Sequence, residues 1–289
     1  MSKRFTLSDT LSIHMQNIFV FGYQNEASGK TTISIAIARS LANAGLKVGV
    51  FKPVSAHNFW YQYDETLRCL ESGTIFSEDI CKLTRAAKID LKKEILNPVD
   101  RLISQPDIEV YEPPSPISRI IMEGITTPEK DMFLVNANAR KNLILQNEII
   151  NDILKDKEIR VCKRFKEWDD FEKKNIPEAI GSCYSYLCRN EEINVIESFN
   201  DQVPILLPDL TKIIMVVPGS LYIYDPKDFA RCFEFNVEAK GRLLGRDVFE
   251  QLKPVYVMKV SPLRKDQLED YDLLANDLGT PILQTLDVL

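Results

Sequence analysis

The fold is decided by one stretch of the chain, FVFGYQNEASGKTT at residues 19–32. Its apolar beginning predicts a buried strand, and its end, Gly-Lys-Thr-Thr, follows a turn of small and polar residues. Apolar side chains then recur at helical spacing, at Ile33, Ile37, Leu41 and Ala44. A strand, a turn that ends in Gly-Lys-Thr and a helix in this order are typical of a phosphate-binding loop.

The loop residues have the chemistry that a triphosphate requires. A helix N-terminus presents unpaired N–H groups and the positive end of the peptide dipole, and Gly29 lets the backbone approach phosphate oxygens closely. We expect the Lys30 ammonium to contact the β- and γ-phosphates as a catalytic group, and the Thr31 hydroxyl to hold Mg²⁺. The predicted nucleotide-binding residues are Glu26, Ala27, Ser28, Gly29, Lys30, Thr31 and Thr32.

The spacing of this loop departs from the usual form, which has a glycine where this chain has Gln24. The nearest earlier glycine is Gly22. A chance Gly-Lys-Thr at the start of a helix is the alternative interpretation. The near-continuous apolar run at 16–21, and Gly45 where a helix C-terminal cap belongs, favour a genuine phosphate loop.

Composition narrows the class of protein. The chain has 289 residues, 45% of them hydrophobic, and a net charge of -6, which gives no general attraction to nucleic acid or anionic membranes. No apolar run approaches the length of a bilayer span. Residues 1–14 lack the apolar segment of a secretory signal, so we expect a cytoplasmic protein. With two histidines and no Cys-x-x-Cys pair, the six cysteines do not indicate a zinc site.

Alternating strands and helices predict the rest of the fold. We expect strands at 47–51, 193–196, 212–217, 255–260 and 281–285, and helices at 78–89, 140–155, 177–189, 226–240 and 265–278. Residues 55–63 are predicted as a loop, and 97–116 as an irregular proline-rich segment. This order predicts an α/β fold with a doubly wound, mainly parallel sheet and helices on both faces, as in P-loop NTPases. We expect one domain over residues 1–289.

An insertion into this domain is expected at about 125–190. Within it, residues 155–174 carry dense charges of both signs, which indicates a solvated surface. The aromatic residues Phe165, Trp168 and Phe171 leave a partner-binding patch as the alternative.

Charged residues lie where the predicted strands end, and ligands of open α/β sheets bind beyond those carboxyl ends. Lys52 ends the second strand, Glu197 ends the third, and Asp79 begins a helix between them. If they converge on the loop, a second catalytic lysine and two acidic metal ligands surround the γ-phosphate. Glu197 could instead be only the first polar residue after a buried strand, and Asp79 only a helix cap. Asp64 competes with Asp79 for the metal role.

Together these motifs resemble dethiobiotin synthetase and related P-loop ATPases, a superfamily that includes CTP synthase and cobyrinic acid amidating enzymes. The similarity covers roughly residues 16–124 and 191–289. The matching segments are the phosphate loop, Lys52-Pro53-Val54-Ser55, Ser77-Glu78-Asp79, Asn97-Pro98, Pro113-Pro114-Ser115-Pro116, Val195-Ile196-Glu197 and the strand at 213–217. The chain departs from the family after Glu197, where a glycine-rich turn is replaced by 198–201, and after the fifth strand, where the base-reading asparagine is not evident.

The resemblance implies a set of roles. Lys30 and Lys52 would hold phosphates, and Thr31, Asp79 and Glu197 would hold Mg²⁺. The nucleotide would be ATP, with GTP as the alternative, and the protein would form a homodimer. The partners would be the nucleotide and a small molecule that the sequence does not identify, with neither nucleic acid nor membrane.

Three functions remain open. The first is a Mg-ATP-dependent enzyme that activates a small carboxylate, carbamate or amine by γ-phosphoryl transfer, or hydrolyses ATP. The second is a nucleotide switch, an ATPase or GTPase that regulates a protein partner, with 198–202 as the switch segment. A nucleotide-binding protein without turnover is a third alternative.

Overall fold

The computed structural model describes residues 15–24, 28–109, 116–144, 146–189, 191–204 and 209–289. Glu26 and Ala27 of the predicted loop, and residues 113–115 of the proline-rich stretch, lie outside these ranges. The strands are β1 (Gln16–Gly22), β2 (Val48–Phe51), β3 (Val54–Asn58), β4 (Val99–Ile103), β5 (Ile120–Thr126), β6 (Asp131–Asn136), β7 (Glu158–Cys162), β8 (Ile193–Glu197), β9 (Gln202–Val203), β10 (Lys212–Val217), β11 (Ser220–Tyr224), β12 (Leu243–Leu244) and β13 (Tyr256–Lys259).

Helices connect these strands and also form the end of the chain. They are α1 (Lys30–Asn43), α2 (Tyr63–Ser72), α3 (Glu78–Ala87), α4 (Lys93–Leu96), α5 (Ala139–Asn142), α6 (Asn147–Ile153), α7 (Phe165–Leu187), α8 (Pro226–Lys240), α9 (Gly245–Gln251), α10 (Lys265–Glu269), α11 (Tyr271–Leu274), a π-helical segment (Ala275–Gly279) and α12 (Thr280–Thr285). Among the described residues, no helix is long and apolar enough to cross a lipid bilayer.

The first sheet has six strands in the order β13-β11-β10-β1-β8-β2. Strands β10, β1, β8 and β2 are parallel, whereas β11 and β13 are antiparallel additions on one side. The side chains of Ile18, Phe19, Val20 and Phe21 are fully buried, as expected for a central strand covered on both faces. The carboxyl ends of the four parallel strands therefore meet at one edge, directly beside the predicted phosphate loop.

The second sheet has five strands in the order β3-β4-β5-β6-β7. Its outer pairs are parallel and its inner pairs are antiparallel. The chain passes from the first sheet to the second at Lys52 and Pro53, between the end of β2 and the start of β3. Residues 125–190 complete this sheet with β6, β7 and the covering helix α7, while β3, β4 and most of β5 come from earlier residues.

Two apolar cores hold these layers together. In the larger core, Phe19 and Phe21 stack with ring centroids 5.3 Å apart, and Phe229 of α8 packs against both rings. The smaller core lies under α7 and contains the fully buried Trp168. Trp168 therefore belongs to the interior of the second sheet, and not to an exposed partner-binding patch.

The C-terminal helices pack along α1. The Ser40 hydroxyl donates a hydrogen bond to the Ala275 carbonyl at 2.9 Å, and Arg39 forms an ion pair with Asp272 at 2.7 Å. A Cβ at Gly279 would lie 2.1 Å from the carbonyl oxygen of Ala36, so only glycine permits this close approach. One wall of the loop region is therefore built by the end of the chain.

The α/β class is confirmed, and the strand at 212–217 and the helix at 226–240 have the predicted bounds. The predicted doubly wound sheet corresponds only to the parallel part of the first sheet, because the strands are divided between two mixed sheets and a two-stranded ladder of β9 and β12. Strand β11 was not predicted, and β13 joins the sheet as an antiparallel edge strand.

Several predicted elements were wrong. Residues 55–63 contain β3 and the beginning of α2 rather than a loop, because the polar Ser55 and His57 are buried and hydrogen-bonded instead of solvated. The segment 97–116, expected to be irregular, contains β4. Residues 155–174 form β7 and the first half of α7, and most of them are exposed, as predicted for a solvated surface. Residues 281–285 form α12 rather than a strand, since Pro281 occupies the first helical turn, where no N–H is needed.

Two predicted helices are interrupted in the structure. The helix expected at 140–155 is divided into α5 and α6. The helix expected at 265–278 is broken at Asp270, whose side chain caps α11 by accepting hydrogen bonds from the backbone N–H groups of Asp272 and Leu273. An aspartate with this capping role starts a new helix rather than continuing the old one.

Candidate functional site

The predicted phosphate loop joins the end of β1 to the start of α1. Gly29, immediately before α1, has φ 89°, a left-handed conformation that glycine adopts without strain. Gly22 is also constrained, because a Cβ there would lie 2.7 Å from Ser28 Oγ and 3.1 Å from Lys30 Nζ. Gly22, two residues before Gln24, therefore makes room for the Lys30 side chain.

Lys30 is largely buried beneath this loop. Its Nζ donates a hydrogen bond to Ser28 Oγ at 3.3 Å, and the residue is 9% exposed. Burial lowers the pKa of Lys30 below its ordinary value, against the opposing attraction of Glu197. No carboxylate forms an ion pair with Lys30 in the described part of the chain. Its charge is therefore directed toward the loop, where an anion would be stabilised.

A second lysine lies at the end of β2. Lys52 Nζ is 2.6 Å from Glu197 Oε1 and 2.9 Å from Asp79 Oδ2, and the residue is 3% exposed. Burial by itself lowers the pKa of Lys52, but Asp79 and Glu197 outweigh it and raise the pKa above its ordinary value. Lys52 therefore stays cationic at neutral pH.

Glu197 is held beside the loop by strand pairing. The parallel register aligns it with Val20 of β1, and the next backbone N–H, of Ser198, donates to the Val20 carbonyl at 3.0 Å. Glu197 Oε1 accepts a hydrogen bond from the Thr31 hydroxyl at 3.0 Å and another from Lys52 Nζ at 2.6 Å. Its Oε2 is buried without a hydrogen-bond partner among the described residues. One carboxylate oxygen is therefore left for a further ligand.

These residues line one cleft of about 1410 Å³. The cleft begins at the loop and runs between α1 and α3 toward α10 and α11. Its lining includes the predicted site residues Ser28, Gly29, Lys30, Thr31, Thr32, Lys52, Asp79 and Glu197. The competing candidate Asp64 lies exposed on α2 and does not line the cleft, so the structure brings Asp79 to the second lysine.

Other cleft residues were not predicted from the sequence. Arg39 of α1, Lys82 and Arg85 of α3, and Tyr271 of α11 also line the cleft. Lys82 and Arg85 follow Asp79 at helical spacing. Their place on the same side of α3 as Asp79 could therefore be inferred once this helix was assigned to the site. Nothing in the sequence indicated Tyr271, because its position depends on how the end of the chain packs on α1.

Gly245 was also missed. A Cβ at Gly245 would lie 2.0 Å from the Gly22 carbonyl oxygen, so α9 begins in direct contact with the start of the predicted phosphate loop. The backbone N–H of Gly245 donates to the Asp201 carbonyl at 2.8 Å, which ties the same point to the segment after Glu197.

The residues present fit a magnesium nucleotide. The N-terminal turn of a 14-residue helix and the buried Lys30 suit phosphate oxygens. Thr31, Asp79 and the free oxygen of Glu197 are the hard oxygen donors that Mg²⁺ prefers, and Mg²⁺ needs few protein ligands because it keeps several waters. This donor set consists of two carboxylates and one hydroxyl. Within the described ranges, no group of three or more His, Cys, Asp or Glu side chains is arranged to hold a metal ion.

No protein-family model matches this chain, and no curated protein sequence matches it significantly. The relation to dethiobiotin synthetase-like proteins therefore stays a resemblance of short motifs.

Proposed function

We propose that this protein is a Mg-ATP-binding P-loop enzyme that transfers or hydrolyses the γ-phosphoryl group. The observation that supports this is a cluster at the start of α1, in which Thr31, Lys52, Asp79 and Glu197 are joined by hydrogen bonds and ion pairs of 2.6 to 3.0 Å. Lys30 lines the same cleft and donates a hydrogen bond to Ser28 Oγ at 3.3 Å. Phosphoryl transfer requires mainly positioning and charge stabilisation, which such a constellation supplies.

Each residue has a role in this proposal. Lys30 and Lys52 stabilise the negative charge that develops on the transferred phosphoryl group. Thr31, Asp79 and Glu197 hold Mg²⁺, which supplies charge neutralisation and orients the phosphate oxygens when it is bound. Lys52 also holds the two carboxylates in place, since it bonds to both. The proposed nucleotide is ATP. GTP is the alternative, because no residue that would read the base is identified.

The acceptor is a small carboxylate, carbamate or amine, or water. The cleft continues beyond Asp79 along α3, past Lys82 and Arg85, which leaves space beside the phosphate end for a second small molecule. The homodimer that the resemblance implies is part of the same proposal.

A nucleotide switch is the second candidate. Phe199 and Asn200 follow the metal-binding candidate Glu197 directly and line the cleft, and Asn200 has the left-handed φ of 51°. A segment that touches both the metal ligands and α9 could respond to the γ-phosphate. An enzyme would turn over ATP faster with one particular small acid or amine, whereas a switch would respond to a protein partner.

The test is MgATP binding by a Lys30→Ala variant, measured by calorimetry with a non-hydrolysable ATP analogue. Loss of a charged hydrogen-bond donor to phosphate should weaken binding by roughly 10- to 100-fold. Lys227→Ala is the matched control, because Lys227 is exposed on α8 away from the cleft. Equal affinities for the wild type and Lys30→Ala would contradict the phosphate-loop assignment.

A further inference from the structure

One buried amide joins the two chain segments that supply Lys52 and Asp79. Asn97 is 1% exposed and lies between α4 and β4. Its Nδ2 donates to the carbonyl oxygens of Lys52 at 2.9 Å and Val99 at 3.2 Å. Its Oδ1 accepts the backbone N–H of Ser77 at 2.9 Å and the Ser77 hydroxyl at 3.0 Å. One side chain therefore bonds to both segments at once.

Each of the two segments that Asn97 joins carries a charged residue of the cleft. Lys52 is the residue at which the chain leaves the first sheet, and its backbone N–H is also held by the Leu96 carbonyl at 2.8 Å. Ser77 immediately precedes α3, and Asp79 lies in the first turn of that helix. Neither segment is covalently close to the other or to Glu197. The Asn97 amide therefore sets the separation of the lysine and the carboxylate that must meet at the metal side of the cleft.

Further buried polar groups support the amide. The Ser55 hydroxyl lies 2.8 Å from Asn97 Oδ1 and 2.5 Å from Asp100 Oδ1, and His57 Nδ1 lies 2.6 Å from Asp100 Oδ2. All four side chains are at most 1% exposed. Buried hydrogen bonds of this kind are strengthened by the low local dielectric and fix one geometry. Asn97 itself does not line the cleft, so it would not contact a substrate.

We propose that Asn97 is a positioning residue for the reaction of the cleft, which holds Lys52 and Asp79 in register with each other. This inference rests on the proposed function. Neither Lys30 nor any other described residue of its loop makes a hydrogen bond to Asn97. Loss of the amide should therefore disturb catalysis and the metal requirement while nucleotide binding by the loop stays intact.

The experiment compares Asn97→Ala with Asn136→Ala. Asn136 is a matched control in the second sheet, since it is 4% exposed, donates two hydrogen bonds to the carbonyls of Ile117 and Ile120, and accepts one from the Asn138 N–H. Both variants lose a buried amide, but only one of the two amides bonds to the cleft segments. The measurements are kcat and KM for ATP hydrolysis, and the Mg²⁺ concentration that half-saturates ATP binding, below the melting temperature of both variants.

Asn97→Ala should lower kcat by roughly 10- to 100-fold, because small misplacements of catalytic groups have effects of this size. It should raise the Mg²⁺ requirement by roughly tenfold, the lower end of the effect that mutation of residues behind metal ligands has. KM for ATP at saturating Mg²⁺ should stay within about twofold of the wild type. Asn136→Ala should leave all three quantities unchanged.

The outcomes separate the two proposals. If the wild type binds MgATP and Asn97→Ala matches Asn136→Ala in kcat and in Mg²⁺ requirement, the positioning role is overturned. If the wild type binds no MgATP, the proposed function itself fails and the role fails with it. Should Asn97→Ala not fold, Ser77→Ala removes a single hydrogen bond to the same amide. That variant should change both quantities in the same direction by a smaller factor, and unchanged values would overturn the role.

Discussion

Glu197 shows at the residue scale how one side chain organises the cleft. Its Oε1 binds Lys52 and Thr31, and its Oε2 has no partner among the described residues. Glu197→Gln keeps the shape of the side chain but replaces its anionic carboxylate with a neutral amide. We expect Mg²⁺-dependent turnover of ATP to fall by about 100- to 1000-fold, the usual effect of losing one group that organises transition-state charge.

The measurement for Glu197→Gln is the ATP hydrolysis rate over a range of Mg²⁺ concentrations. Glu192→Gln is the control, because the Glu192 carboxylate precedes the same strand but accepts a hydrogen bond from the Lys47 backbone N–H away from the cleft. An unchanged Mg²⁺ dependence in Glu197→Gln would remove this carboxylate from the metal site.

Much of this residue-scale site could be predicted from the sequence. The Gly-Lys-Thr motif indicated Lys30 and Thr31, and the rule that ligands lie at strand ends indicated Lys52 and Glu197. The choice between Asp79 and Asp64 could not be made, because it depends on which of two helices faces the loop. Arg85 could be assigned to the cleft only once α3 was placed beside the loop, since a cation on a helix surface has the same pattern whether it faces solvent or a cleft.

At the scale of elements, the contact between α1 and the π-helical segment is tightly constrained. A Cβ at Gly279 would lie 2.1 Å from Ala36 O and 2.3 Å from Ser40 Oγ. Gly279→Ala should therefore lower the free energy of unfolding by about 1 to 3 kcal/mol, the usual cost of overpacking. Chemical denaturation measures this difference.

Gly181→Ala is the matched control for that substitution. Gly181 lies within α7, and a Cβ there would meet no atom within 4 Å. Alanine is also the better helix former, so this variant should be more stable than the wild type by roughly 0.5 to 1 kcal/mol. Similar destabilisation of both variants would show that the close contact at Gly279 has no special importance.

Elements were predictable where periodicity and burial agreed. Strand β10 and helix α8 follow simple apolar patterns, and both were predicted with their observed bounds. Strand β3 was missed because its polar residues are satisfied by buried partners, which no local pattern reveals. The assignment of α12 failed because a proline in the first turn of a helix was interpreted as the start of a strand.

At the scale of the whole molecule, Glu123 makes stability depend on pH. It is fully buried in the second sheet, and Arg101 donates to its Oε1 at 2.7 Å and also to Glu172 at 2.7 Å. Two carboxylates therefore share one guanidinium. Burial, reinforced by the neighbouring Glu172, raises the pKa of Glu123 from 4.5 to about 8.

This raised pKa fixes the direction of the pH dependence. Between pH 4.5 and about 8, the unfolded chain releases the Glu123 proton while the folded chain keeps it. The free energy of unfolding should therefore fall as pH rises through this range, by at most about 1.4 kcal/mol per pH unit from this group. The contribution is fully present below pH 4.5 and is lost above about pH 8.

Glu123→Gln should flatten that slope, because glutamine does not titrate. Denaturation at several pH values between 4.5 and 8 measures it, and Glu158→Gln on the exposed strand β7 is the control. A slope that stays the same in Glu123→Gln would show that another group causes the pH dependence.

The whole-molecule arrangement was the least predictable from the sequence. The α/β class follows from the alternation of elements, but the division into two sheets depends on the bend at Lys52 and Pro53, where one continuous stretch of chain changes sheets. The 125–190 segment was expected as an insertion relative to the family that the motifs resemble, with a charged, solvated surface at 155–174. Its Trp168 and the strands β6 and β7 pack with earlier residues to complete the second sheet.

The packing of the C-terminal helices on α1 has a consequence for synthesis on the ribosome. The predicted phosphate loop and α1 are translated well before the residues that wall the cleft and cover Ala36, from Lys265 to Gly279. A nascent chain that has reached only α9 therefore carries the loop with one flank of α1 uncovered. The cleft can reach its final shape only after the residues up to Gly279 have left the ribosome.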